Sequence, residues 1–185
     1  GLMRLALDAK DSPAALAAGG KALNLKPQSA MAAAQLLQLH SDQQNWGAAL
    51  EVLAIVIKDR KKQTGMVPQL LTRQRTALLY LDGLSALESE EDTDRASGRF
   101  TAALGHDPAF LPAIFASSDL HISSAGKRKA TKLLENSFTL VPHAGIVDRL
   151  LSLWDENDGK SIARLVKLIP KNYKNIKHHL YGFQS

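Results

Sequence analysis

Apolar residues recur along this chain at helical rather than strand spacing. Ala49, Leu50, Leu53, Val56 and Ile57 follow i, i+1, i+4, i+7, i+8, and Ile162, Leu165, Val166 and Ile169 follow i, i+3, i+4, i+7. Each set lines one side of an amphipathic helix. Comparable stripes run through Met31, Ala34, Leu36 and Leu37, through Ala77, Tyr80, Leu81, Leu84 and Leu87, and through Val147, Leu150, Leu151 and Trp154. The breaks carry turn chemistry. Asp11-Ser12-Pro13 opens a helix with proline tolerated in its first turn, Asn45 precedes another, and Pro27, Asp107-Pro108 and Pro170 close helices. The pattern predicts more than half of the residues in helix and no sheet.

Small, large and loop positions repeat at a spacing of 34 residues: Ala15 with Ala49, Ala22 with Val56, Ala96 with Ala130, Phe100 with Leu134, Ala103 with Ser137, and Pro108 with Pro142. A period of about 34 in an Ala/Leu-rich chain is that of tetratricopeptide helix-turn-helix repeats. No such repeat buries its own apolar face, so copies stack and expose a surface for partners. The predicted fold is therefore all-α, a right-handed α-solenoid of tetratricopeptide-like helical hairpins. Its repeat domain covers 1–170, with repeats at about 1–27, 28–61, 67–108, 109–142 and 143–170. Residues 171–185, with Tyr173, Ile176, Leu180 and Tyr181, read as a C-terminal capping helix or the start of a further repeat. The period slips in the middle, where Ala49 to Ala96 spans 47 residues. The extra residues fall in the Lys61–Pro68 connection and the acidic Glu88–Asp94 turn, so repeat three has a longer first helix.

Alanine and leucine make up nearly a third of the chain, which suits closely approaching helices better than a sandwich rich in Val, Tyr and Thr. No apolar run reaches the length of a membrane span. The start, Gly1-Leu2-Met3-Arg4, already reads as helix, as in a fragment of a longer protein. The absence of cysteine excludes disulfides, thiolate chemistry and Cys-ligated metals. A formal charge of +5 is modest and mixed in sign, without the basic stripe and stacking aromatics of a nucleic-acid surface. Nothing resembles a phosphate loop, a nucleophile elbow or a zinc motif, so no catalytic, metal or cofactor residue is assigned. Close helix packing accounts for Gly19-Gly20.

The first helix of each repeat faces the groove of such a stack. Counting within the period places Met31, Ala34 and Gln38 of repeat two, and Phe115, Asp119 and Ile122 of repeat four, toward that groove as partner-binding candidates, Phe115 being the aromatic anchor. First helices with Ala, Leu, Gln, Ser and His do not form the Lys/Arg/Asn clamp with which other repeats of this class hold a C-terminal carboxylate. The six histidines, His40, His106, His121, His143, His178 and His179, make no paired metal spacing. His40 and His106 are placed to cap helix-end carbonyls. Lys127-Arg128-Lys129 opens a helix at the end where its dipole disfavours cations, so the cluster faces solvent, an acidic partner or anionic headgroups.

Leu70-Leu71-Thr72, Asp94-Arg95-Ala96, Ala102-Ala103-Leu104 and Pro108-Ala109-Phe110-Leu111-Pro112-Ala113, continued in Arg128-Lys129-Ala130, Lys132-Leu133-Leu134-Glu135 and Pro142-His143, carry a resemblance. Through them the chain resembles the HemY family of bacterial membrane-anchored tetratricopeptide proteins associated with haem biosynthesis. The resemblance implies a protein-interaction scaffold rather than an enzyme, anchored in the bacterial inner membrane through segments absent from this sequence, with this domain on the cytoplasmic face. Haem-biosynthetic enzymes are the implied partners. The alternative is a carrier that binds haem or a porphyrin in the groove.

Overall fold

Side-chain caps fix where the helices begin. Asp11, Ser29 and Asn45 each accept a hydrogen bond from the backbone N–H three residues on, at 3.0, 3.4 and 3.2 Å, satisfying a donor that a helix start would otherwise leave open. The computed structural model describes residues 2–89, 92–154 and 159–168, and every regular element among them is helical. The chain divides into two compact units, Gly1–His106 and Asp107–Ser185. The first holds α1 (Leu2–Asp8), α2 (Ser12–Leu25), α3 (Ala30–Asp42), α4 (Trp46–Thr64), α5 (Gln69–Ser89) and α6 (Thr93–His106). The second holds α7 (Leu111–Ser123), α8 (Lys127–Leu140), α9 (Ala144–Leu153) and α10 (Gly159–Leu168). The fold is all-α and built of helical hairpins. The sequence-predicted tail over 171–185 lies outside the described residues.

One turn geometry is used three times. Lys10, Gln44 and Ala125 adopt left-handed φ of 56°, 55° and 57°. In each case the next residue donates its backbone N–H to a carbonyl five positions back: Asp11 to Ala6 at 2.8 Å, Asn45 to His40 at 2.8 Å, and Gly126 to His121 at 2.7 Å. This closes the preceding helix and starts the next within three residues. Lys10 and Gln44 stand one 34-residue period apart. None of the three is glycine, so each turn carries left-handed strain. Gly65, at φ 73°, ends α4 without that cost.

In the first unit consecutive helices pack on one another from α1 to α6. Met3, Leu23, Ala33, Leu36 and Val52 form a buried cluster, flanked by Leu7, Leu16, Leu37, Ile55 and Val56. Gly19 sits inside it: a Cβ there would stand 2.8 Å from Leu36 and Met3. Gly20 meets nothing within 4 Å, so close packing explains only the first of the pair. On α4 the buried residues are Ala49, Val52 and Leu53. Leu50, Val56 and Ile57 of the sequence-predicted stripe are half-buried.

The larger correction is on α5. Its fully buried side is Thr76, Leu79, Asp82, Gly83 and Ala86, while Ala77, Tyr80, Leu81, Leu84 and Leu87 are half-buried. Helix α5 packs against both α4 and α6, so the apolar stripe is shared between two flanks and the line of closest approach takes small and polar residues. Gly83 lets Phe100 of α6 come so near that a Cβ would lie 2.6 Å from its ring. Asp82, 2% exposed, is held by Arg95 at 2.8 Å and Arg99 at 2.5 Å, both from α6. The Arg99 contact is an ion pair off the line of a hydrogen bond, since the Oδ2 it approaches has no hydrogen-bond partner among the described residues. A buried carboxylate is tolerated only with such compensation.

In the second unit α8 is central, touched by α7, α9 and α10. It buries Ala130, Leu134, Ser137 and Phe138, while α7 buries Ala113 and Ile114 and α9 buries Ile146, Leu150 and Leu153. Val147, Leu151 and Trp154, read from sequence as part of the α9 stripe, are half-buried. The side chain of Ile162 and residues Ile169 and Pro170 fall outside the described set, and Val166 is exposed.

Two substitutions with opposite signs test this packing. Ala130 is 0% exposed, so Ala130→Leu overpacks the centre of the second unit and lowers stability by about 1–3 kcal/mol in urea melts. An unchanged midpoint contradicts the packing. Ala125→Gly relieves a left-handed φ and raises stability by up to about 1 kcal/mol, less what glycine's freedom returns to the unfolded chain. A loss of stability contradicts the turn geometry.

Candidate functional site

The residues free to meet a partner are those the packing leaves out. On α3, Ala32, Ala33 and Leu36 are buried, whereas Met31, Ala34 and Gln38 are exposed, Met31 at 75%. Their i, i+3, i+7 spacing makes them one line along the helix. Gln38 donates to Asp42 at 2.7 Å on the same helix, which orients its amide along the surface. The line thus offers a flexible thioether, a small step and a fixed amide.

On α7 the matching positions hold a more organised cluster. Asp119 is exposed and bound by both ends of Arg149 from α9, with Nε and a terminal nitrogen each 3.1 Å from a carboxylate oxygen. The same guanidinium lies 4.2 Å from the centre of the Phe115 ring, and His143 approaches that ring at 5.9 Å between centroids. Phe115 is therefore half-buried beneath Arg149, and the outward face is the Asp119–Arg149 pair with Ile122, 40% exposed, one turn beyond. The forked geometry and the stacking fix Arg149 in place. Oδ1 also accepts from Ser118 Oγ at 3.4 Å, so the lone pair left for an incoming donor is on Oδ2.

Arg149 and His143 belong to this cluster and were not among the partner-binding candidates read from the sequence. Arg149 stands 30 positions from Asp119 and His143 24, both beyond α8. The same 34-residue offset that relates Pro108 to Pro142 brings the starts of α7 and α9 into correspondence, and counting it forward from Phe115 lands on Arg149. His143 also caps α9, accepting from Gly145 N–H at 3.0 Å through Nδ1. Its proton in that state is on Nε2.

The expected carbonyl caps at His40 and His106 do not form: neither side chain has a hydrogen bond among the described residues. His40 instead lines a cavity of about 340 Å³ with Leu16, Leu23, Leu36, Glu51 and Val52. Its Nδ1 is buried without a partner. Burial pushes its pKa below the usual 6.5, with Glu51 opposing; at His106 burial and Arg75 both act downward. His178 and His179 lie outside the described residues. No group of three metal-ligating side chains converges among the described residues. No helix among them is long and apolar enough to cross a membrane.

No family model matches the chain, and no curated protein matches it. Among solved structures it is similar to the MamA protein at 17% identity, over 100% of this chain and 92% of that one, with a TM-score of 0.44. A second structure of MamA shares 17% identity over 96% of this chain and 98% of its own, with a TM-score of 0.45. A thermophilic TPR protein in Thermus thermophilus shares 17% identity over 90% of this chain and 86% of that chain, with a TM-score of 0.37. No residue role transfers from them to this chain.

Proposed function

We propose that this chain is a protein-interaction scaffold that works through its first-helix faces, Met31, Ala34 and Gln38 on α3 and Phe115, Asp119 and Ile122 on α7, with Arg149 holding the second set in place. The observation that carries the reading is the division of each helix. On α3, Ala32, Ala33 and Leu36 are consumed by packing while Met31, Ala34 and Gln38 stay exposed, and on α7 Ala113 and Ile114 are buried while Asp119 and Ile122 stay exposed. Such a surface binds without paying to order itself. No catalytic role is assigned.

The resemblance to the HemY family supplies the finer reading: a repeat domain belonging to a protein anchored in the bacterial inner membrane, facing the cytoplasm and docking haem-biosynthetic enzymes. Phe115 supports this docking from below Arg149. The polar pair above it and Ile122 meet the partner.

Capture of haem-biosynthetic enzymes from bacterial membranes by the full-length protein tests the proposal. Met31→Lys combined with Gln38→Ala, and separately Asp119→Ala combined with Ile122→Ala, are each expected to reduce capture about tenfold, or 1.4 kcal/mol, with helicity by circular dichroism unchanged. Undiminished capture by both variants contradicts the proposal. If instead stoichiometric haem shifts its Soret band on mixing and His→Ala changes abolish the shift, the carrier reading replaces it.

A further inference from the structure

The cations that open α8 have no structural reason in their own helix. Lys127, Arg128 and Lys129 occupy its first turn, against the helix dipole, and the N-cap residue Gly126 provides no side-chain cap. Two more observations place one of these cations, Arg128, in a site with Lys132 one turn on. Arg128, Thr131 and Lys132 form one wall of a cavity of about 380 Å³ whose other described lining is Glu135 of the same helix, Trp154 after α9, and Arg164 of α10. Within it Arg164 is already committed. It pairs with Glu135 at 2.6 Å and lies 4.8 Å from the centre of the Trp154 ring. Arg128 and Lys132 have no ion-pair partner among the described residues. The described lining therefore holds three cations against one carboxylate, with the two cations unmatched among the described residues on one wall. Beneath Arg164, the indole N–H of Trp154 is buried without an acceptor among the described residues.

We propose that this cavity binds an acidic segment of a protein partner, two neighbouring carboxylate side chains satisfying Arg128 and Lys132. It rests on the protein-interaction reading but uses other side chains: its described lining comes from α8, α10 and the residue after α9, and none of it from α3 or α7. The lining selects among anions. Glu135 repels a doubly charged phosphate more than a carboxylate. The site is bounded and has one aromatic ring, already covered by Arg164, so it lacks the continuous basic track and stacking surfaces that nucleic acid requires. A volume of this size matches one or two side chains. Arginine and lysine on adjacent turns present a forked and a point-like donor to two carboxylates. An oxygen that draws Arg164 off the ring also gives the buried indole N–H its acceptor.

The test is a titration of this chain with an end-blocked Asp-Glu-Asp-Glu peptide, read at the Trp154 indole N–H by NMR and assigned with the W154F variant. Binding is expected to shift that proton downfield saturably. R128Q/K132Q is expected to weaken it at least tenfold with the fold retained, since both residues are exposed, and added salt to weaken it further. No saturable shift, or an unchanged affinity in R128Q/K132Q, overturns the proposal. So does a response to inorganic phosphate or to phosphatidylglycerol vesicles that the peptide fails to produce. A silent peptide beside intact capture through α3 and α7 removes this site and leaves the scaffold reading standing. Peptide binding beside capture that ignores the α3 and α7 variants does the reverse.

Discussion

Helices can stack closely only where side chains at the crossing are small, and in this chain that condition is met by alanine. Ala15, Ala49, Ala86, Ala96 and Ala103 in the first unit, and Ala113 and Ala130 in the second, are all 0% exposed. At these points a methyl group is the whole of the filling, so any larger residue must push two backbones apart. Larger side chains then pack around these contacts: Phe100 on Gly83, Leu36 on Gly19, Leu134 beside Ala130. What remains outside is set by the same condition, because a helix whose small side is buried has its other side left for solvent or a partner.

Most of this order can be read from the residues because it is local. Proline stops and the Asp11 and Asn45 helix starts act within a few positions, and α2 and α4 begin within a residue or two of where those signals place them. The buried stripe of α5 could not be read in the same way. A polar Asp82 between Leu81 and Gly83 looks like a solvent position until Arg95 and Arg99, on another helix, neutralise it. Hydropathy records the cost of burying a carboxylate but not the compensation, which is non-local. The half-buried Tyr80 and Leu84 mislead for a related reason: a helix covered on two sides spreads its apolar residues over both flanks.

The candidate faces show the same division. Met31, Ala34 and Gln38 are exposed as their spacing implies, since that follows from the helix alone. The state of Phe115 depends on Arg149, a residue of the neighbouring hairpin, and an aromatic ring at a surface position became the floor of an ion pair. The basic opening of α8 could be seen as an anomaly in the sequence. That Arg128 lines a cavity with Trp154 and Arg164 came only from the packing of α10 on α8. Anomalies of local chemistry mark places where distant residues decide.

The chain contains no cysteine, so single introduced thiols can report which side of a helix is packed. The direct comparison is A33C with A34C on α3, adjacent residues that the structure assigns to opposite environments, and A49C at a zero-exposure contact on α4. Reaction with a small thiol reagent under native conditions should proceed for A34C at nearly the rate of the unfolded chain. The A33C and A49C thiols should be slowed by orders of magnitude, released only on unfolding. Equal rates at positions 33 and 34, or a fast reaction at 49, would contradict the claim that small buried residues set the stack and leave the first-helix face open.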